Sequence, residues 1–368
     1  MPDTVLVAGA SGLVGSQAVE RFLGAGWDVI AVSRRKPEVT SSRPFRHLAL
    51  DLSDQDACRA ALDHESSVTN VAYAALFEKP GLISGWQERD QMDTNDRMLR
   101  NLMEPLLEAS PVAHVSLLQG TKAYGIHLHP IPIPARERLP RDEHENFYWL
   151  QEDYVRELAE KRGLAWTVLR PQVIFGGAHG VAMNVLPPIG AFAALCAEEG
   201  LPFGFPGGVS FIQEGVDARL MGDVLLWAAT EEAAANQTFN VTNGDVYEWR
   251  SLWPAIAKTL GVAPAPDEPR SLVSFLSERV EHWDRIVEER GLRPIGLMEL
   301  CGESHYYADF LFAYGVTERP PYGLVSTVKL RQAGFKTFFD TEDTVCYWLH
   351  RLIEDRIIPR ARGSIEVR

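Results

Sequence analysis

Cysteine is scarce in this chain: four residues among 368 (Cys58, Cys196, Cys301 and Cys346), all far apart in sequence. With no C-x-x-C pair, neither a disulfide framework nor a thiolate zinc site is indicated. No run of about eighteen apolar residues occurs, so no membrane-spanning helix is expected. The opening MPDTVLVAGASG lacks the basic and apolar regions of a secretory leader and enters a strand pattern directly. Positive charge is the minority sign. Against 50 Asp and Glu stand 36 Lys and Arg, for a formal net charge of −14. That balance argues against a surface tracking nucleic-acid phosphates and against an anionic membrane face, so neither partner is expected. The ten histidines show no H-E-x-x-H spacing and no G-x-S-x-G elbow is present. Metal-dependent and serine hydrolysis are therefore poor readings, and no metal is expected. The sequons at Asn236 and Asn240 are read as chance in an unglycosylated, cytoplasmic protein.

What remains is ordinary globular material, 46% hydrophobic and 23% charged, long enough for two domains or one large one. The first half alternates short apolar runs with amphipathic segments. Strand patterns are read at 4–9, 28–34, 45–51, 67–76, 113–120 and, as one continuous strand, 165–176. Helical spacing covers 13–26, 91–109 and 146–163, the last ending at Gly163. After Gly176 proline, glycine and aromatics become frequent, with one more alternating unit at 216–230 and 237–242. The fold class implied is α/β, a Rossmann-type doubly wound parallel sheet with a smaller, mainly helical C-terminal substrate-binding region. The expected division is a dinucleotide-binding domain over 1–180 with a return segment near 215–245, and a lid formed by 181–214 and 246–368.

Three features carry chemistry. GASGLVG places Gly9, Gly12 and Gly15 between a strand and a helix, with Ser11, Leu13 and Val14 in the same turn. One glycine makes the tight turn, one admits a pyrophosphate to the backbone, one lets the helix pack on the sheet, and the helix N-terminus faces the anion. At the end of the second strand, where an acid would accept from the ribose 2′-hydroxyl of NAD, the chain has Ser33, Arg34, Arg35 and Lys36. Guanidinium groups match a 2′-phosphate in charge and donor geometry, which points to NADPH/NADP+. Asp51 and Leu52, ending the third strand, would flank the adenine. The third feature is NFYWLQED, residues 146–153, which holds a tyrosine where a short-chain dehydrogenase keeps its catalytic one, yet the fourth residue after Tyr148 is Glu152 instead of lysine. Lys122, in LLQGTKAYG just past the fifth strand, is a lysine at the sheet edge that faces ligand in this fold class.

Taken together, LQGTKAYG, NFYWLQED, WTVLRPQVIFG and FNVTNGDVYEWRSLW resemble the progesterone 5β-reductase/iridoid synthase-like family, an atypical branch of the extended short-chain dehydrogenases/reductases. The resemblance runs from the glycine loop to AGFKTFF near the C-terminus. It implies that Tyr148 and Lys122 are the catalytic pair, Arg34 and Arg35 the 2′-phosphate ligands, and Pro171 with Val173 or Ile174 the nicotinamide contacts. It also implies 1,4-reduction of activated C=C bonds in steroid enones, small apolar enones or dicarbonyl monoterpenes, and a homodimer. Glu152 is then expected as a solvated helix residue. The chain departs from the family pattern at Trp149, usually a second tyrosine, at Gln172, usually a glycine, and in Gly120-Thr121 before the lysine. Phe147, Trp149, His305, Tyr306, Tyr307, Phe310 and Phe335 are candidates for an apolar pocket, although a stripe such as HYYADFLF is more often helix core. Three other readings stay open: a carbonyl reductase with the same residues, a sugar-nucleotide epimerase, and a non-catalytic NADP sensor.

Overall fold

The computed structural model describes residues 3–361. Its centre is a seven-stranded, wholly parallel sheet. The chain enters it through β1 (Thr4–Ala8), β2 (Asp28–Ser33), β3 (Arg46–Ala49), β4 (Asn70–Tyr73), β5 (His114–Leu118) and β6 (Ala165–Pro171). Two short strands follow, β7 (Val173–Phe175) and β8 (Gly215–Asp217), then β9 (Gln237–Val241). The order across the main sheet is β3-β2-β1-β4-β5-β6-β9. All five residues of β1 are buried, the signature of a parallel strand covered by helices on both faces.

The crossover helices are α1 (Leu13–Gly24), α2 (Gln55–Leu62), α3 (Arg89–Ala109), α4 (Phe147–Arg162), α5 (Leu186–Glu199) and α6 (Ala218–Thr230). Helices α1 and α6 cover one face through Val14, Ala18, Phe22, Leu220, Val224 and their neighbours. On the other face α3 and α4 pack Leu99, Leu102, Leu106, Tyr154 and Val155 against the strands. A third core lies between α5 and the C-terminal helices α7 (Trp249–Leu260), α8 (Leu272–Ser277), α9 (Val280–Arg290), α10 (Leu297–Cys301), α11 (Ser304–Leu311) and α13 (Thr341–Glu354), whereas α12 (Val328–Gln332) adds Leu330 to the α1/α6 face. Trp283 is fully enclosed there and donates its indole N–H to the Ile295 carbonyl at 2.9 Å.

Two readings of the sequence change. The stretch 165–176 is not one strand: it breaks at Gln172, and β7 leaves the main sheet to pair with β8 in a separate ladder. Pro171 has no N–H to continue the main ladder, and the next amide, that of Gln172, makes a last 3.3 Å bond to the Val241 carbonyl. Helix α2 was not anticipated, although Asp54 caps it by accepting from the Ala57 amide at 3.0 Å. No helix among the described residues is long and apolar enough to cross a membrane.

Candidate active site

One cavity of about 1160 Å³ runs along the C-terminal edge of the sheet. Its walls come from the segments that follow successive strands: Gly9–Val14 after β1, Ser33–Arg35 after β2, Leu50–Ser53 at the end of β3, Ala74–Glu78 after β4, Leu118–Lys122 from β5, and Pro171–Ile174 from β6. This is where an open parallel sheet offers free strand ends and helix N-termini to a ligand. Of the glycine-turn, Ser33–Arg35, Asp51–Leu52, Pro171, Val173, Ile174, Lys122 and Tyr148 residues assigned a cofactor or catalytic role from sequence, Gly15 alone does not line it. Gly15 lies inside α1, and a Cβ there would come within 2.1 Å of the Gly9 carbonyl oxygen. Its place is helix-against-turn packing.

At the glycine turn, Gly9 has φ +74° and a side chain on it would strike the Ala74–Ala75 peptide at 2.6 Å. Backbone of the first and fourth strand ends can therefore meet only because this residue has no Cβ. Gly12 caps α1 without a side chain, leaving the helix N-terminus bare toward the cavity. That is a cradle suited to a pyrophosphate. Ser33 is buried and spends its hydroxyl on the Arg35 carbonyl at 2.6 Å, fixing the turn that presents two exposed guanidinium groups. Asp51 is held below the usual carboxylate range by bonds from the Ser53 amide and hydroxyl, with the Arg34 charge adding to the effect. Lys36 turns away, over the ring of Phe45.

At the other end, Asn146 caps α4 by accepting from the Tyr148 amide at 3.0 Å, which sets Tyr148 in the first turn of the helix. Its side chain is 8% exposed. A Cβ added at Gly120 would lie 3.3 Å from the Tyr148 hydroxyl, so that bare residue makes room for the phenol. Two residues on, in the tight turn Thr121–Tyr124, Lys122 lies in the same cavity with its ammonium 4.0 Å from the centroid of Trp86. Neither the Tyr148 hydroxyl nor the Lys122 ammonium makes a side-chain hydrogen bond among the described residues. Burial depresses the Lys122 pKa, and the nearby Glu78 carboxylate opposes that shift. Burial raises the Tyr148 pKa, and Glu78 and Tyr307 raise it further. The other tyrosine of the lysine motif, Tyr124, donates to the Asn240 carbonyl at 2.7 Å and lies outside the cavity.

Glu152 is not solvated. It is 4% exposed, accepts from Gln119 at 2.8 Å and from both Arg156 nitrogens at 3.0 and 2.7 Å, and lies 3.6 Å from Arg141 and 3.8 Å from the buried Arg170. Gln119 also donates to the Tyr148 carbonyl at 3.3 Å and accepts from Arg170 at 2.9 Å. The carboxylate therefore fastens α4 to the ends of β5 and β6. A buried charge demands such compensation, and here it arrives from several separate elements.

The C-terminal segments close the cavity. Phe147, Tyr307 and Phe310 line it, whereas Trp149, His305, Tyr306 and Phe335 do not. Trp149 points away from the cavity, donating to the His144 carbonyl at 3.1 Å beneath the Arg141 guanidinium. His305 is buried, Tyr306 is on the surface, and Phe335 packs on Trp227. The α11 stripe thus divides between core and cavity, as helical spacing around a cylinder requires. Sequence reasoning also passed over Glu78, Trp86, His127 and Glu214, all of which line the cavity. Burial lowers the His127 pKa to about 4 and raises that of Glu214 to about 7. Glu214 accepts from Gln172 at 3.1 Å and from the Val325 amide at 2.8 Å, and Gln172 also donates to the Gly323 carbonyl.

Residues 5–241 match the model of the NAD dependent epimerase/dehydratase family. An (S)-8-oxocitronellyl enol synthase of Nepeta cataria is 30% identical, the alignment covering 98% of this chain and 92% of that protein. This chain belongs to that family, in the progesterone 5β-reductase/iridoid synthase-like branch. The protein is accordingly an oxidoreductase of the extended short-chain dehydrogenase/reductase group, which depends on a nicotinamide dinucleotide. A 3-oxo-Delta(4,5)-steroid 5-beta-reductase of Arabidopsis thaliana is 28% identical over 97% of this chain and 93% of its own. Among solved structures, the UDP-glucose 4-epimerase of Thermotoga maritima superposes with a TM-score of 0.67 at 16% identity, covering 95% of this chain and 99% of that one. At that identity the likeness speaks for the fold alone. Within the branch, the departure at Gln172 has a structural use: its amide ties the end of β6 to the C-terminal segment at Gly323.

Proposed function

We propose that this protein is an NADPH-dependent reductase that delivers hydride to the β-carbon of a C=C bond conjugated to a carbonyl group. The observation that supports the reading is that Tyr148 and Lys122, neither engaged in a side-chain hydrogen bond among the described residues, both line one largely apolar cavity at the sheet edge.

Bound NADPH supplies the hydride. Arg34 and Arg35 would hold its 2′-phosphate, Gly9, Ser11, Gly12, Leu13 and Val14 its pyrophosphate, Asp51 and Leu52 its adenine, and Pro171, Val173 and Ile174 its nicotinamide. Tyr148 donates a hydrogen bond to the substrate carbonyl oxygen, and Lys122 opposes the negative charge that gathers there. The two possible products differ in what they ask of the phenol. An alcohol requires it to give up its proton; an enolate requires only that it donate a strong hydrogen bond. Burial and the Glu78 field both resist ionisation of Tyr148, which favours the second demand. The enolate then takes a proton at its α-carbon from water. The activities for which the two relatives above are named support the same bond as the target. In this reading the enzyme works in the cytoplasm on a small apolar enone, since the dinucleotide takes much of the cavity.

The test is NADPH oxidation with a small cyclic enone and with progesterone, products being identified by mass spectrometry. A saturated ketone is expected, with turnover reduced about 10²–10⁴-fold in Tyr148→Phe and by at least 10²-fold in Lys122→Ala. An allylic alcohol as product would make the enzyme a carbonyl reductase and sink the proposal.

A further inference from the structure

We propose that Glu78, with Trp86, is a positioning residue that supplies the counter-charge and the wall holding Lys122 at work opposite Tyr148. The inference rests on the reductase reading above and deepens it, because sequence motifs mark the lysine but nothing that keeps it charged.

The geometry begins one layer back. Gln91 is 1% exposed, and its amide cannot turn around: the carbonyl accepts from the Lys79 amide at 3.0 Å, and the NH2 donates to Glu78 Oε2 at 2.6 Å. Gln91 docks beneath the short turn Leu82–Gln87 because Gly85 there has no side chain; a Cβ would sit 2.3 Å from the amide oxygen. That turn carries Trp86. Glu78 is thus gripped through Oε2, while Oε1 is buried beside the Trp86 indole N–H, an imperfectly placed donor that leaves both atoms short of a full hydrogen bond. A buried carboxylate held this loosely is costly unless a positive charge compensates it. That charge is Lys122, whose ammonium lies over the Trp86 ring. Burial raises the Glu78 pKa, and Lys122 leads the groups that pull it back down, so each of the pair supports the charged state of the other.

Among the described residues, Glu78 is the anion whose field reaches that ammonium. The other titratable groups lining this part of the cavity are His127 from the segment after Lys122 itself, Tyr148 from α4, Tyr307 from α11 and Glu303, whose carboxylate is engaged by the Gly81 amide at 2.8 Å, with Arg170 of β6 behind Tyr148. Burial pushes the His127 pKa down and the two tyrosine pKa values up, so all three are neutral near pH 7, and Arg170 is a cation. Without Glu78, the ammonium would be an unpaired charge in a poorly hydrated site and would shed its proton more readily. The same carboxylate discourages a second anion beside it, which keeps Tyr148 a hydrogen-bond donor. One residue therefore sets both charge states on which enolate stabilisation depends.

The sign of the effect makes the test specific. Glu78→Gln keeps the shape and the bond from Gln91 but removes the charge. The Lys122 amine can be titrated without any substrate, by competitive acetylation with acetic anhydride over a pH series and peptide mass spectrometry. In Glu78→Gln its titration should move to lower pH by about one unit, with Glu78→Asp falling between variant and parent. With an enone that the parent reduces, the alkaline limb of kcat should move by a matching amount, while NADPH binding measured by fluorescence stays unchanged. Equal Lys122 titration in Glu78→Gln and parent would overturn the proposal, as would a loss of turnover of the same size at every pH. Should Glu78→Gln fail to fold, Glu78→Asp carries the test through its smaller shift, and an unchanged titration there overturns it equally. If no enone is reduced at all, the amine titration still decides the role of Glu78, so the two readings fail separately.

Discussion

The two ends of the cavity handle charge in opposite ways. At the end beyond β2, Arg34 and Arg35 are exposed and consecutive in sequence, with no ion-pair partner among the described residues. At the far end the charges are buried and drawn from distant segments: Glu152 with Gln119, Arg156 and Arg170, and Glu78 with Gln91 and Lys122. The first arrangement waits for a ligand to neutralise it. The second is already compensated and serves to hold reactive groups in place. Exposed charges of the first kind contribute to binding and little to stability, whereas removing one member of the second leaves its partner stranded.

The largest break in that contrast should come from Glu152→Ala. Arg170 would lose its carboxylate in a buried position, and unfolding free energy should fall by roughly 3–5 kcal/mol, read from urea denaturation of the NADPH-free protein. The next effect concerns Glu214, which burial raises to about 7 while the Val325 amide and Gln172 work against that rise. A carboxyl with a raised folded-state pKa binds its proton more tightly when folded. Its contribution is complete below the ordinary carboxylate value and is lost as pH climbs through about 7. Between mildly acid and alkaline pH, Glu214→Gln should therefore gain on the parent by up to about 3 kcal/mol, seen as melting curves that separate as pH rises. The smallest effect belongs to the exposed end. Arg34→Ala and Arg35→Ala should each weaken NADPH by about 1–2 kcal/mol, roughly tenfold, with little change for NADH. That loss should shrink as salt is added, and melting in the absence of NADPH should not move. A destabilised Arg34→Ala would erase the distinction between the two ends.

Contiguity decided how much of this was legible in advance. The glycine turn and the arginine pair are each specified by a few neighbouring residues, so local spacing was enough to read them. Tyr148 and Lys122 needed the resemblance of several motifs at once, because no periodic pattern links them. Glu152 was misread as solvated since its helix shows charged neighbours at Glu157 and Lys161, while the groups that bury it, Gln119, Arg141 and Arg170, come from other elements. Glu78 and Trp86 stand in a non-periodic loop. The signal that could have found them is positional: they follow the fourth strand, at the same edge where the other strand ends were already read as binding segments. The split of the sixth strand was signalled by Pro171, whose missing donor was available to sequence reasoning and not used.

When lysine follows tyrosine on a single helix, four residues of rise, about 6 Å, fix their spacing once and for all. Here the phenol travels with α4 and the ammonium with the turn beyond β5, joined through Gln119 and the bare backbone of Gly120. Their separation is thus a property of how a helix seats on a sheet. Replacements along that seat, remote from either reactive atom, can widen or narrow the gap by fractions of an ångström without touching the chemistry. A lineage built this way can refit its enzyme to a differently shaped molecule by adjusting the frame and keeping the tools.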